Sequence, residues 1–283
     1  MIKKLNINKE LCKELYKKYY NKGYIIKKKN IYQINREFEK EEWSGLLKKI
    51  KKIKKIKKKI KIDDIEKIYN DFQKKIVFFE KGNFYSGSIK HVIVKYNKIY
   101  RELIEKIHKK EISSIVELGA GYGSKIFHLA DNLKINLNFF AGELTKNGRD
   151  IMKTISSKKK VKIFKCNLFD KYLKKIIPEN SIVFTSYSLH YLPKLKKNFY
   201  LYFKKIKPNL VVHFEPVYET HKSNNLHGRL CRNYIHQNDY CKNFLTVIKK
   251  LDNENKIKIL YFKKNIFGSN PLLPISIIVW KFN

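Results

Sequence analysis

The sequence predicts an α/β protein: a seven-stranded, mostly parallel sheet with helices on both faces, preceded by a mainly helical segment. Three observations predict it. Short apolar runs recur at residues 112–117, 136–143, 161–167, 181–187, 209–215, 257–262 and 275–282, and helical periodicity fills the gaps up to the sixth. Strands alternating with helices make a doubly wound parallel sheet. The last gap, 263–274, contains Gly268, Pro271 and Pro274. It is too poor in helix signal for a right-handed crossover, so the final strand is expected to run antiparallel to its predecessor. The first 85 residues show no such alternation.

Within that first segment, Asn8 is placed to cap a helix whose apolar face is Leu11, Leu15 and Tyr19, with Gly23 as its stop. Residues 24–26 and 31–34 predict two short strands about a turn at Lys29-Asn30. Across 46–61, Leu46, Leu47, Ile50, Ile53, Ile56 and Ile60 step mostly by three or four, among ten lysines between 48 and 61. That spacing predicts an amphipathic helix with a solvated lysine face. Asp63-Asp64 interrupts it, and a further helical pattern runs to about Phe79. Residues 84–88 predict a loop and a helix cap. Ile89, Val92, Tyr96, Tyr100, Ile104 and Ile107 then mark a helix over 88–110.

Composition narrows the class. At 43% hydrophobic residues the chain can bury a core. It has no apolar stretch of about 20 residues for a membrane span and no apolar leader, so a cytoplasmic protein is expected. Lys and Arg number 63 against 25 Asp and Glu, a net charge of +38. Only Arg36, Arg101, Arg149, Arg229 and Arg232 are arginine, and Ile, Asn and Tyr are abundant as well. Base readout favours the planar, bidentate Arg. The lysine excess therefore reads as compositional background, although it attracts anions in a salt-dependent way. Cys12, Cys166, Cys231 and Cys241 form no C-x-x-C pair and read as reduced thiols.

The sharpest motif is Val116-Glu117-Leu118-Gly119-Ala120-Gly121-Tyr122-Gly123, which ends an apolar strand and opens a helix at Ser124. Glycines there let the backbone approach a ligand, and the helix N-terminus offers free N–H groups. A dinucleotide fingerprint requires glycine at 124, where this chain has Ser124. The next strand ends at Glu143, an acid placed to accept ribose hydroxyls. The third ends at Asn167-Leu168, with Asp170 close behind, and the fourth runs into Ser186-Tyr187-Ser188-Leu189-His190-Tyr191-Leu192-Pro193.

Glu117-x-Gly-x-Gly-x-Gly, followed by Glu143 and by Leu-His-x-Leu-Pro, resembles the class I S-adenosylmethionine-dependent methyltransferases of the small-molecule type. The resemblance covers about residues 85–283. It implies a Rossmann-like sheet with a reversed final strand and S-adenosylmethionine as cofactor. It implies a cofactor site of Glu117, Gly119, Ala120, Gly121, Gly123, Glu143, Asn167, Leu168 and Ser186, with Asn167 at the adenine amino group and Asp170 as the fallback. The division expected is a helical segment over 1–85, serving as a lid, and a methyltransferase domain over 86–283.

Methyl transfer needs a base only when the acceptor must lose a proton. Candidates at the carboxyl ends of strands four and five are His190, His213 and Glu215, of which Glu215 and His190 are the expected catalytic pair; a packed histidine is the alternative at His190 and His213. Tyr187, Tyr191, Arg229 and Arg232 are the expected acceptor contacts, the two arginines as planar anion binders. The acidic and histidine residues between 213 and 236 fit no metal-ligand spacing, so no metal is expected. The expected function is methylation of O or N on a small or medium anionic acceptor: a sugar, a phosphorylated metabolite or a peptide natural product. Two rivals stand beside it. One is an RNA or protein methyltransferase that docks a polyanion on the lysine-rich helix. The other is a basic binding module that keeps the fold without the chemistry.

Overall fold

The seven apolar runs from residue 112 onward do fold as strands, in a computed structural model that describes residues 2–6, 8–20, 30–168, 173 and 175–283. In chain order the described strands are β1 (Lys3–Leu5), β2 (Lys75–Glu80), β3 (Asn83–Ser88), β4 (Ser114–Leu118), β5 (Asn138–Glu143), β6 (Val161–Lys165), β7 (Ser181–Ser186), β8 (Leu210–Pro216), β9 (Ile257–Gly268) and β10 (Ile275–Phe282). The helices are α1 (Lys9–Tyr20), α2 (Ile31–Arg36), α3 (Ser44–Lys54), α4 (Ile62–Tyr69), α5 (Ile89–Ile107), α6 (Ser124–Asn132), α7 (Lys146–Met152), α8 (Tyr200–Ile206), α9 (Leu226–Gln237) and α10 (Phe244–Asn253). No helix among the described residues is long and apolar enough to cross a membrane.

The strands form one sheet in the order β1-β3-β2-β9-β10-β8-β7-β4-β5-β6. From β8 to β6 the pairing is parallel, and β10 lies antiparallel between β8 and β9. This is the Rossmann-like, doubly wound half of the sheet. Strand order reverses at β4, with β7 on one side and β5 on the other, and ligands of open α/β sheets bind outside the carboxyl ends at such a point. Alternation along β4 sends Ile115 to the face covered by α5 and α6 and Val116 and Leu118 to the face covered by α8 and α10. Both faces are thus apolar, as a parallel sheet requires.

The sheet has ten strands where seven were expected. The extra three come from the first 88 residues, so the boundary drawn at residue 85 falls inside β3. β2 was expected as the tail of a helix and β3 as a loop. They pair as a hairpin because Lys81 and Gly82 take positive φ, 45° and 89°, in a two-residue turn. Both central residues with φ > 0 match the twist of the flanking strands. β1 extends β3, and β2 reaches β9 at Phe79 and Glu80, so part of the N-terminal segment is built into the sheet.

Other expectations divide. Asn8 does cap α1, its Oδ1 accepting from Leu11 N at 2.8 Å. Ser88 caps α5 through His91 N. Residues 31–34 are helix, not strand. Asn30 and Gln33 form a reciprocal capping box there, which satisfies two N–H groups at the start of α2. The partner strand expected at 24–26 lies outside the described residues. The lysine-rich helix stops at Lys54 instead of reaching 61. Lys57 pairs with Asp64, whose other oxygen accepts from Lys61 N, and this pulls the chain into a new helix start at α4. Ile56 is left exposed, while Ile60 is buried and bridges to Ile155.

Candidate functional site

β4 delivers Glu117 to the face of the sheet covered by α5 and α6, buried, where its carboxylate accepts from Ile126 N at 3.1 Å. That bond ties the strand end to the first turn of α6. Between them the glycine loop turns with positive φ at Gly119 (78°), Gly121 (58°) and Gly123 (87°). A Cβ on Gly119 would stand 2.6 Å from the Ser188 Cβ, so only glycine lets the β7 exit loop close over β4. Gly123 serves α6 instead: a Cβ there would meet Phe127 and Met152 at 2.7–2.9 Å.

From the neighbouring β5, Glu143 reaches the same loop. Its Oε2 accepts from Gly121 N at 2.8 Å, and its Oε1 accepts from Thr145 N at 2.8 Å and Thr145 Oγ1 at 2.6 Å. A carboxylate offers about four lone-pair sites. Three are taken here, so one hydroxyl can be accepted without rearrangement, and a vicinal diol requires one internal bond to give way. Burial raises the Glu143 pKa, opposed by the Thr145 and Gly121 bonds and by Arg149. Burial likewise pushes the Glu117 carboxyl up to about 8, against the pull of Lys125.

These groups face one cavity of about 320 Å³. Its floor is the loop at Gly119, Ala120 and Gly121, with Glu117, Glu143, Asn167, Leu168 and Ser186 around it. Every expected cofactor residue lines it except Gly123, which acts behind the wall. Asp170 lies outside the described residues. Tyr187 and Tyr191 line it as well. Tyr187 has a left-handed backbone, φ 47°, and its hydroxyl bonds to Tyr96 Oη and to the Leu273 carbonyl. Tyr191 lies edge-on to Phe38 with centroids 5.1 Å apart.

The other four expected residues do not line the cavity. The Glu215 carboxylate sits just behind it and accepts from Ser188 N (3.1 Å), Leu189 N (3.1 Å), His190 N (3.3 Å) and Ser188 Oγ (3.3 Å). It holds the loop after β7, where a base would have to face outward. Burial works to raise its pKa, but His190 and these N–H groups outweigh that and hold it below the ordinary carboxylate value. His190 is also buried, its Nδ1 3.4 Å from Glu215 and its ring against Tyr191 and Tyr240. Arg229 is exposed on α9, and Arg232 on the same helix lies 4.1 Å over the Tyr218 ring and donates to the His221 carbonyl. His213 is the packed alternative. It sits among Phe203, Phe244 and Trp280, bonds to Thr185, and is pushed down to about 4 by burial.

Two sets of site residues were not named by sequence reasoning. A lid was expected from the N-terminal segment, but not which of its residues would form it: Ile34, Asn35, Phe38 and Trp43 line the cavity. A π-helical turn, Glu37–Trp43, joins α2 to α3 and carries both aromatics. Trp43 packs over Gly121 and Tyr122, and the Glu39 carboxylate accepts from Asn147 N at the start of α7. Below it, buried Glu66 of α4 is bonded to Ser124 and His128 of α6. Asp63 lies near His128 as well, but Glu66 is already satisfied by these donors and stands beside the Lys125 charge. We read the group as an anchor of the N-terminal segment on the loop helix. The second missed feature is Lys125. It lines the cavity, and its ammonium donates to Ser124 Oγ at 3.1 Å and lies over the rings of Tyr96 and Tyr100 at 5.3 and 5.8 Å. The signal for Trp43 was its rarity, as one of two tryptophans. Lys125 had no signal in so lysine-rich a chain.

The reversal of strand order at β4, beside the glycine loop, and the antiparallel β10 make a Rossmann-like sheet with a reversed final strand. No family profile matches the sequence, and no curated protein does. The structure is similar to magnesium protoporphyrin IX methyltransferase from Synechocystis PCC 6803 with bound SAH (TM-score 0.47, 10% identity, 69% of this chain and 86% of that one). It is similar to a SAM-dependent methyltransferase from Anabaena variabilis ATCC 29413 (TM-score 0.48, 10% identity, 68% of this chain and 86% of that one). It is also similar to Aeropyrum pernix fibrillarin with bound S-adenosyl-L-methionine (TM-score 0.44, 10% identity, 74% of this chain and 83% of that one).

Proposed function

We propose that the protein is an S-adenosylmethionine-dependent methyltransferase that acts on O or N of a small or medium acceptor. The carrying observation is the convergence of Glu143 and the glycine loop on one roofed cavity at the strand-order reversal. The residues fit the cofactor. The loop brings bare backbone to the cavity floor, Glu143 has a lone-pair site left for a ribose hydroxyl, and Asn167 and Leu168 stand at the far side for the base. The volume lies in the range of small-ligand pockets.

When bound, the cofactor supplies a methyl group on sulfonium, so the leaving group is neutral and needs no acid. The chain then has three tasks. It binds through the loop and Glu143. It orients through the loop at 188–190, which Glu215 fixes by its hydrogen bonds. It excludes water through the roof of Phe38 and Trp43, and such positioning can contribute about 7–11 kcal/mol. Residues 30–69 are the lid in this reading, and residues 89–283 with the β2–β3 hairpin are the catalytic body. The acceptor wall is aromatic, made of Phe38, Tyr187 and Tyr191 with Leu192, while Arg229 and Arg232 stand elsewhere. An acceptor with an apolar or aromatic face therefore fits better than the anionic one expected from sequence. Calorimetry with S-adenosylmethionine tests the reading. Micromolar binding, about −8 kcal/mol, is expected, and radiolabelled transfer to fractions of the native cell extract should follow. An absence of binding to both S-adenosylmethionine and S-adenosylhomocysteine refutes it.

A polyanionic acceptor is favoured by one observation. The exposed lysines of α3 follow directly on Trp43 in the roof, so a nucleic acid held there would lie beside the cavity mouth.

A further inference from the structure

We propose that the open edge of β9, beside α5, is a docking site for an extended acidic segment of a partner protein, which adds to the sheet as a strand. Three observations lead to it, and none of them involves the cofactor cavity.

The first is unfinished pairing. β2 meets β9 at Phe79–Gly268 and Glu80–Phe267, and the last bond between them runs from Lys81 N to the Ile266 carbonyl at 3.0 Å. The chain then turns away at Lys81-Gly82. Farther along β9, Ile259 N is taken by Asp252 Oδ1 at 2.9 Å. Between these two closures, over residues 260–264, no described residue bonds to the outer edge of β9. Alternate residues of an edge strand turn N–H and C=O away from the sheet, where another chain can pair with them. β9 carries extra residues relative to β10 on both sides of this stretch, but Tyr261, Phe262 and Lys263 pair in register with Val279, Ile278 and Ile277. The pairing on offer is short, so side chains must supply the rest of the binding.

The second is a cavity. About 410 Å³ of space lies between this edge, α5 and the end of β2. Its apolar lining is Ile99 and Leu103 of α5 with Ile266 and Ile277 of the sheet. Tyr261 and Lys263, two apart on β9, line it together. Phe262 between them points to the opposite face, where it is 40% exposed. An added strand meets the cavity with every second side chain and Phe262 with the others.

The third is charge. Five lysines and two acids line the cavity. The acids are taken, Glu80 by Lys95 and Glu102 by Lys98 at 3.6 Å. Lys106 lies over the Tyr261 ring at 5.5 Å, and among the described residues no acid pairs with Lys81, Lys106 or Lys263. That surplus matches a strand with acidic side chains at alternate positions. Lysines on an edge deter pairing with like-charged chains, and the same charges select an acidic one. A second copy would bring the lysines of its own β9, at 258, 263 and 264, to the contact. A free anion would engage the lysines and leave the backbone edge unpaired.

Fluorescence anisotropy of a labelled peptide of alternating Glu and Val tests the proposal on the full chain. A dissociation constant of about 10–100 μM is expected. The counterpart of alternating Lys and Val should bind at least about ten-fold more weakly. So should the acidic peptide N-methylated at alternate residues, in either frame, which keeps the charges and removes main-chain donors. Lys106→Glu combined with Lys263→Glu should reverse the preference between the acidic and basic peptides, with thermal unfolding as the check on folding. If that pair fails to fold, Lys106→Gln with Lys263→Gln should weaken the acidic peptide about five-fold. The bound peptide should slow hydrogen exchange over residues 260–264. Equal binding of the N-methylated peptide, or full displacement of the acidic peptide by inorganic polyphosphate with no change in exchange at β9, shows an anion site alone and overturns the added strand. Absence of binding by the acidic peptide overturns it as well, as does a dimer in sedimentation that protects the same amides.

Discussion

Gly119→Ala tests the joint between the glycine loop and the β7 exit loop. Two costs follow from the structure. Gly119 has φ 78°, where an L-residue is strained by about 1–2 kcal/mol. The new methyl would also lie 2.6 Å from the Ser188 Cβ. Ser188 cannot simply step aside, because its N–H and hydroxyl are bonded to Glu215 and its hydroxyl also to the Leu118 carbonyl. Overpacking of this kind costs about 1–3 kcal/mol, so a total loss of about 2–5 kcal/mol is expected. Urea unfolding measures it, and calorimetry measures the accompanying loss of cofactor affinity. Ser188→Gly separates the two costs in a double-mutant cycle. It removes the clashing Cβ and leaves the φ strain, so the pair should couple favourably by about 1–2 kcal/mol. Strict additivity of the two substitutions would show that the loops do not meet as described, and unchanged affinity in Gly119→Ala would remove the loop from the cofactor site.

Glu215→Gln keeps the shape but turns an amide NH2 toward N–H groups that now donate to a carboxylate, so a loss of about 3 kcal/mol in urea unfolding is expected. The folded pKa of Glu215 is depressed from 4.5, so its contribution is present above that pH and fades as pH falls below it. The variant should lack that part of the acid-side slope, and an identical slope would contradict the assigned role. His213 is held neutral, with its pKa lowered from 6.5 to about 4. Its contribution is complete above pH 6.5 and is lost as pH falls toward 4, by about 3 kcal/mol in all, so His213→Gln should flatten thermal stability over that window. Replacing Lys51, Lys52, Lys54 and Lys55 with Gln should leave transfer to a small acceptor unchanged. A loss of ten-fold or more, with wild-type activity falling steeply as salt rises, would favour the polyanionic acceptor.

The parallel half of the fold was legible because each of its strands is buried on both faces and therefore reads as a continuous apolar run. The antiparallel end was legible from two prolines and a glycine. The first 88 residues were not, for two physical reasons. A short apolar run such as Ile76-Val77-Phe78-Phe79 has no period that separates strand from helix, and only the Lys81-Gly82 turn and the β3 partner decide it. Lysine is a good helix former, so propensity extended the helix through 61, whereas the pairing of Asp64 with Lys57 and Lys61 N ends it at Lys54.

The same distinction runs through the site. Backbone features were legible: three glycines at positive φ and an acid at each of two adjacent strand ends specify a place, because few residues can substitute there. Roles that depend on which way a side chain turns were not. Glu215 and His190 occupy the expected strand ends, yet three N–H groups of the loop after β7 claim the Glu215 carboxylate and draw it off the cavity. An unprotected turn needs an acceptor as much as a reaction needs a base, and sequence position cannot tell these needs apart. Lys125 is the converse case. One lysine among dozens has no compositional mark, and its distinction lies in being the second residue of the loop helix, where α6 turns it over Tyr96 and Tyr100 and into the field of Glu66 and Glu117. The helix that opens directly after the glycine loop thus sets where that cation stands, so the loop positions a charge as well as exposing backbone.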